Sequence, residues 1–537
     1  MASGGSNRVL RVNNLISKVS PRARDGLHDG RRWQLALAIA TLLMLTRSYT
    51  SAGGFPVLPT ATLQITDVEN LIAAAVTRAH RDNATVVVTV SDREGNVLGL
   101  FDMNGVRMNS NDVDAINETA NPVMFPFPTT QTERTAIEKA RTAAFLSSDQ
   151  DAFSTRTAAT LVAPHFPMHV ANAPAAPLFG LPFSSLPCGD IELHGNGLSG
   201  ALGGIPVYLK HAIAGGIGVD GAAQTEDERI ALAAVTKQYS VPAAITADNI
   251  YIGGIQLPWI GVTPPGRGHP IPYAMLTPAI GMPNTNYPVI PTPATSFTPA
   301  TFAGVPGEIR IPITGSSRID PNKLTAADVT SMITNSMALA KKTRAAIRLP
   351  IGVPARMQVG VTDLDGTPLG LFRTNDATMF SLDIVIQKGR TVTSFSDPDE
   401  TLGQMLRSEL GLPMNADIAF TSRTIGFLAQ PFYPPGIDGM PPGPLHNIQQ
   451  QLFNTSSATF CEPLGDGVTL FPGSTPVYKN GALEGGLGLS GDGVDQDDYI
   501  TNGGAAGFLP APAIRCDQID FRGTPLPFFK FPRHPGL

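Results

Sequence analysis

Cysteine is scarce in this chain, with three among 537 residues. None stands in a C-x-x-C spacing, which argues against a zinc site or a thioredoxin-type redox centre. Charge is sparse too: Asp, Glu, Lys and Arg make up 15% of the chain and leave it at −6. That balance gives no general attraction to nucleic acid or to an anionic bilayer. The usual catalytic signatures are missing, with no G-x-S-x-G, H-E-x-x-H, Walker A or dinucleotide fingerprint. Gly215-Gly-Ile-Gly218 looks like a phosphate loop. It falls inside a hairpin rather than between a strand and a helix, so it reads as a strand packed closely on its neighbours. The apolar run Trp33 to Leu45, about thirteen positions, is too short to span a bilayer comfortably.

What is present describes a globular, loop-rich protein. Hydrophobic residues reach 42%, and Gly 54 and Pro 48 lack the periodicity of a fibre. Arg8, Arg11, Lys18, Arg22, Arg24, Arg31 and Arg32 precede the apolar run, and Thr50-Ser-Ala52 follows it. A basic region, a short apolar core and small residues at −3 and −1 predict a signal peptide over 1–52. An uncleaved anchor is the alternative. The expectation is export to the periplasm or secretion, with no stable membrane span after processing. Residues 1–52 carry eight basic and two acidic groups, so the remainder stands at −12.

The dominant feature is an internal echo. Asp92-Arg-Glu-Gly95-Asn-Val-Leu-Gly-Leu-Phe101 returns as Asp363-Leu-Asp-Gly366-Thr-Pro-Leu-Gly-Leu-Phe372. Lys139-Ala-Arg141-Thr142 is matched by Lys388-Gly-Arg390-Thr391, and Phe153-Ser-Thr-Arg156-Thr157 by Phe420-Thr-Ser-Arg423-Thr424. Pro206-Val-Tyr208 with Gly215 to Gly221 is matched by Pro476-Val-Tyr478 with Gly485 to Gly491. One domain has been duplicated. The copies are expected at 53–240 and 316–510, joined by a Pro-rich strap over 241–315 and followed by an extension over 511–537. Trp259, Tyr251, Tyr273, Ile290 and Phe302 make the strap too apolar for a solvated tether. A second Pro/Gly strap runs from Pro431 to Pro444.

Each copy opens with an amphipathic helix. Val68, Leu71, Ile72, Ala75, Val76 and Ala79 recur at helical spacing, and Val329, Met332, Ile333, Ser336, Met337 and Ala340 fall at the same offsets. Thr66-Asp-Val-Glu69 reads as a capping box, with Thr325 and Asp328 in the same role in copy two. Strands at Thr85–Val90 and Met357–Thr362 each turn at a glycine into a second strand. Helices are expected over Thr132–Leu146 and Ser381–Phe395, and around Arg156 and Arg423. A second hairpin follows, turning at Asn480-Gly481 in copy two, which favours a type I′ turn. A closing helix begins at Glu226-Asp227-Glu228 or Asp495-Gln-Asp-Asp498, where acids complement the helix dipole. The order α-β-β-α-α-β-β-α with antiparallel hairpins predicts an α+β fold.

Together the D-x-x-G-x-x-x-G-L-F hairpin, the K-x-R-T and F-x-x-R-T helices, the P-V-Y strand and the Gly-rich ending resemble the GlcG/HbpS-like haem-binding family. The resemblance covers Thr62–Val235 and Leu324–Phe508. It implies two profilin-like layered domains, each an antiparallel sheet flanked by helices, packed as a pseudo-dimer. It also implies assembly into homo-oligomers or service as an accessory subunit. Haem, or a related tetrapyrrole, is the implied small-molecule ligand, with redox sensing or haem breakdown in some members. The alternatives are a structural subunit that has lost its ligand and a haem-dependent oxidase or haem-degrading enzyme. Covalent c-type haem is excluded because C-x-x-C-H is absent.

Haem iron takes an axial His, Cys, Met or Tyr, and its propionates take cations. His80 closes the first helix stripe, where copy two has Lys341. His165 follows the third helix, where copy two has Phe432 and Tyr433. These two are the candidate axial ligands, set against solvent exposure or a helix-end charge. The repeated cations Lys139, Arg141 and Arg156, with Lys388, Arg390 and Arg423, are candidate propionate partners. Their structural alternative is pairing with Asp92 and Asp363 or capping carbonyls. Asp227, Glu228, Asp497 and Asp498 read as dipole partners or a surface metal site. Cys461 and Cys516 are the disulfide candidate, since both belong to copy two.

Overall fold

The computed structural model describes residues 61–105, 130–181, 198–264, 269–277, 289–294, 297–447 and 467–537. Copy one opens with α1 (Ile65–Arg81), whose predicted stripe from Val68 to Ala79 is buried. The cap differs from expectation. Thr66 lies inside the helix, and the Asp67 carboxylate instead accepts from the Gln64 N–H at 2.9 Å. Asp67, two residues before Glu69, takes the role expected of that glutamate.

The hairpin β1 (Val87–Asp92) and β2 (Val97–Asp102) follows. Next come α2 (Gln131–Leu146), α3 (Thr155–Leu161), β3 (Gly204–Leu209), β4 (Ala212–Asp220) and α4 (Gln224–Ala234). The strands form an antiparallel sheet in the order β2-β1-β4-β3. Alternation along β1 divides its faces. Val88 and Val90 join the α1 stripe and Ile230 of α4 in one core, while Val87 meets Ala136 and Ile137 of α2 on the other face. Helix α2 lies almost on the backbone of β4. A Cβ at Gly216 or Gly218 would collide with the carbonyl oxygens of Ala140 and Ala136. The Gly-x-Gly strand is therefore a packing device, as its place in a hairpin suggested.

After copy one come two small hairpins, β5 (Tyr251–Ile252) with β6 (Ile255–Gln256) and β7 (Thr298–Phe302) with β8 (Val305–Ile311). Copy two then repeats the plan: α5 (Ala326–Ala340), β9 (Met357–Asp363), β10 (Pro368–Thr374) and α6 (Ser381–Ser396). An unanticipated helix, α7 (Thr401–Glu409), precedes α8 (Ser422–Leu428), β11 (Ser474–Lys479), β12 (Ala482–Gly491) and α9 (Val494–Gly504). The cap at Thr325 is as expected, with Asp328 N donating to its Oγ1 at 3.2 Å. The register is conserved between copies. Pro206 faces Gly216 and Pro476 faces Gly486, with a register shift after Val207 and after Val477. Asn480 and Gly481 both have positive φ, 52° and 85°, as a type I′ turn requires.

The second sheet is six-stranded because β7–β8 joins the edge of β10, giving β11-β12-β9-β10-β8-β7. On copy one the matching edge meets Val289, which bridges Gly99, and Ile290, whose N–H donates to Leu98 O at 2.9 Å. The duplication also reaches past residues 240 and 510. The β5–β6 arm is matched by β13 (Asp520–Phe521) and β14 (Thr524–Pro525). Each arm pairs in parallel with its own domain, Ala152 with Thr246 and Ala419 with Arg515. Thr157 and Thr424 donate to the equivalent carbonyls of Pro258 and Pro527.

Both copies belong to one compact unit. A single core cluster unites Phe145, Leu146 and Phe153 of copy one with Leu382, Ile384, Val385 and Phe471 of copy two. The halves are therefore packed as a pseudo-dimer, helix α2 side toward helix α6 side.

Candidate functional site

All six repeated cations have protein partners. Lys139 is fully buried on α2, and its Nζ donates to Asp220 at 2.7 Å, Val219 O at 2.8 Å and Asp227 at 3.1 Å. Lys388 does the same on α6, reaching Leu489 O at 2.5 Å and Asp497 at 3.1 Å. Arg141 and Arg390 each donate from Nε, at 2.9 Å, to the carbonyl of the hairpin glycine, Gly95 or Gly366. Arg156 clamps Glu228 through two bonds of 2.8 Å, and Arg423 holds Asp495 and Asp498. These are internal ties from helix to sheet and from helix to helix. Asp363 pairs with Arg318 at 2.9 Å, and Asp92 with the Asn96 side chain at 2.9 Å. The four acids of the closing helices are these buried counter-charges. Among the described residues, no cluster of three His, Cys, Asp or Glu could hold a metal.

The candidate histidines stand elsewhere. His80 is exposed at the end of α1. His165 is half-buried between the copies, with Nδ1 2.8 Å from Ala173 O and Nε2 3.7 Å from Asp438. Its ring stacks on Phe432 with centroids 6.0 Å apart. Cys516 carries a buried free thiol 3.0 Å from the Thr424 hydroxyl, and burial pushes it up to about 12. Its expected partner, Cys461, lies outside the described residues.

The concave feature lies at the boundary of the copies: a cavity of about 290 Å³. Its apolar walls are Leu146, Phe153 and Leu161 from copy one, with Ile347 and Phe380 from copy two. Tyr251 to Gly253, from the β5–β6 arm, line it as well. Polar groups come from the end of β12 and the start of α9 (Ser490, Asp495, Gln496 and Asp497), from Arg344, and from Arg533 in the C-terminal tail. The volume sits near the lower end of the usual range for small-molecule sites, roughly 300–1,000 Å³.

The two cations of this polar part, Arg344 and Arg533, come from segments outside the repeated motifs. Residues 82–86 suffice to join α1 to β1, whereas 341–356 join α5 to β9. The longer loop is laced by backbone bonds. Arg344 N donates to Pro535 O at 2.7 Å, and Ala346 N to Asp492 O at 2.7 Å. Its Arg348 is fully buried and donates to Ser148 of copy one at 2.9 Å, to Asp376 at 2.7 Å and to Asp492. Burial would push the Asp376 carboxyl up, but Arg348 and Arg93 hold it below the usual range. Asp151 beside them is raised well above, because burial outweighs the pull of Arg348 there. This knot fastens the copies together next to the cavity.

Three features of the cavity bear on ligands. Arg344 is half-buried and Arg533 exposed, and neither has an ion-pair partner among the described residues. Tyr251, 59% exposed, is the one lining residue of the types that serve haem iron as axial ligands. Asp497 is buried, and its Oδ1 has no hydrogen-bond partner. Burial pushes Asp497 up to about 7 despite Lys388, and Lys388 is lowered by the same desolvation. Sequence reasoning treated Asp497 as a dipole partner and Tyr251 as a strap residue. It passed over Arg344 and Arg533 altogether, because they fall outside the repeat. Cations in unduplicated segments were the available signal.

A family model described as haem degrading protein, HbpS-like, matches residues 63–236 and again 324–506. Similar solved structures include the PduOC:heme complex, at 21% identity and TM-score 0.22, covering 33% of this chain and 94% of that one. The Klebsiella pneumoniae protein ORFY is similar at 20% identity and TM-score 0.23, covering 34% and 94%. HbpS is similar at 22% identity and TM-score 0.21, covering 35% and 96%. No curated protein matches the chain.

Proposed function

This chain belongs to the family of HbpS-like haem degrading proteins and carries the family's domain twice; from that premise we propose that it binds haem, or a related tetrapyrrole, non-covalently between its copies. The observation that carries the reading is one cavity joining apolar walls to Arg344 and Arg533, cations without protein partners among the described residues. A tetrapyrrole has a flat apolar body and carboxylates at one edge. Phe153, Phe380 and Ile347 suit the body, and the two guanidiniums suit the carboxylates. Tyr251 would supply the axial oxygen. The exposed rim from Tyr251 to Gly253 and the tail around Arg533 would carry the part of the ring that the cavity does not enclose. Haem, when bound, supplies the redox chemistry of its iron; the chain's residues orient it and exclude water from one face.

Titration with haemin tests this. A saturable Soret shift is expected. Replacing Arg344 and Arg533 together by Ala should weaken binding roughly 100-fold or more, since two bonds to charged groups together contribute about 3–6 kcal/mol. Tyr251→Phe should shift the Soret band of the bound ferric form, whereas His80→Ala and His165→Ala should leave it in place. No saturable binding would end the reading, as would binding that depends on His165 and not on Arg344 or Arg533.

One observation favours a second reading, an accessory subunit without a ligand. Every repeated cation is engaged internally, and both candidate histidines stand away from the cavity. Such a protein would leave the haemin spectrum unchanged. Export is a further proposal, resting on the residue pattern of 1–52, which lies outside the described residues. N-terminal sequencing of the protein recovered outside the cytoplasm should begin near residue 53; an intact Met1 would oppose cleavage. Among the described residues, no helix is long and apolar enough to cross a membrane.

A further inference from the structure

The two copies treat the same buried carboxylate differently. In copy one, Asp227 spends Oδ2 on Lys139 and Oδ1 on the N–H of Ala222, at 3.0 Å. In copy two, Asp497 spends Oδ2 on Lys388 at 3.1 Å, while Oδ1 has no partner and the residue lines the cavity. A second carboxylate on the lysine is lost as well. Asp220 pairs with Lys139, but its counterpart Ser490 turns to Ser381 at 2.9 Å. A buried oxygen left without a hydrogen bond costs about 1–3 kcal/mol. Where the same position is satisfied in the sister copy, the open valence points to a missing ligand atom.

We propose that Asp497 is a specificity-determining residue of the cavity, which in its neutral form donates a hydrogen bond from Oδ1 to a carboxylate or carbonyl oxygen of the bound molecule. This deepens the preceding proposal and rests on the cavity being the ligand site. The surrounding charges decide the polarity. Lys388 of α6 faces Asp497 through Oδ2; Asp498 and Asp495 of its own helix are held by Arg423 of α8. Asp492, just ahead of the helix, is held by Arg348. That leaves Arg344 and Arg533 to draw in an anion, and an anion is compatible with Asp497 only when Asp497 is protonated. Its carboxyl is pushed up to about 7 by burial, so that form is available near neutrality. Asp227, closed by Ala222, should take no part.

Haemin and 2-naphthoate, a small apolar carboxylate, should each be titrated into the full chain between pH 6 and 8. Wild-type affinity for both should fall about tenfold across that range, as a group titrating near 7 dictates. Asp497→Asn, which keeps a donor at every pH, should bind tightly with no such slope, and Asp227→Asn should retain the wild-type slope. Asp497→Ala should lose affinity throughout, with circular dichroism confirming that it folds. If wild type binds haemin and Asp497→Asn keeps the slope, this inference fails while haem binding stands. If naphthoate binds with the Asp497-dependent slope and haemin does not bind, the inference stands and haem is the wrong ligand. Binding of neither probe overturns both.

Discussion

The two copies share a scaffold and diverge where one of them meets a cavity. Copy one places Lys139 between two carboxylates and gives Asp227 a backbone donor, so both oxygens of Asp227 are hydrogen-bonded. Copy two places Lys388 beside one carboxylate and leaves Asp497 open. The link from first helix to first strand differs in step, 82–86 against 341–356. Copy one satisfies both oxygens of Asp227, whereas copy two carries the longer loop and leaves Asp497 Oδ1 without a partner. Unsatisfied buried groups are costly, and Asp497 Oδ1 is one of them at the cavity, where its counterpart in copy one is satisfied.

The largest expected effect concerns what copy one lacks, the Arg348 knot. Arg348→Ala leaves Asp492 without its ion-pair partner and Asp376 with Arg93 alone, and should cost about 3–5 kcal/mol in chemical denaturation. A change below 1 kcal/mol would show that the knot does not hold the copies together. Next, Lys139→Ala leaves two carboxylates facing each other, and Lys388→Ala leaves one that already favours its neutral form. The first should destabilise more than the second, by about 1 kcal/mol or more; equal losses would erase the electrostatic difference between the copies. The smallest effect is a pH dependence. The folded carboxyls of Asp497 and Asp227 titrate near 7 and 6, above the ordinary 3.8. The folded state thus holds these protons more tightly, and stability falls as pH rises from about 4. Asp497→Asn should remove a slope extending to about pH 7, and Asp227→Asn one that ends near pH 6. Stability curves by urea titration at each pH would show identical windows if the two sites were alike.

Much of the fold was legible because both copies repeat it. The stripe from Val68 to Ala79, its counterpart from Val329 to Ala340, and the paired hairpins follow from periodicity and turn residues alone. The arm at 243–257 was not recognised as the partner of 512–526. Ala244-Ile245, Asp248, Ile250, Gly254 and Leu257-Pro258 do recur as Ala513-Ile514, Asp517, Ile519, Gly523 and Leu526-Pro527, but the matches are scattered, and two-residue strands leave no periodic signal. Helix α7 was missed because only copy two contains it. The cations on α2 and α6 were visible as repeated residues, but repetition marks scaffold and site equally. Only the positions of Asp220, Asp227 and Asp497 decide that Lys139 and Lys388 are structural. The cations at the cavity, Arg344 and Arg533, lie outside the repeated motifs, so a comparison of the copies passes over them.

Stoichiometry gives the most direct test. The chain has two family domains, yet the proposed cavity draws on a loop and a tail that occur once. Haemin titrated into a known concentration of chain, followed at the Soret band, should saturate at one equivalent per chain and lose that equivalent's affinity in the Arg344→Ala, Arg533→Ala variant. Saturation at two equivalents, indifferent to those arginines, would place the ligand within each copy and contradict a site between them.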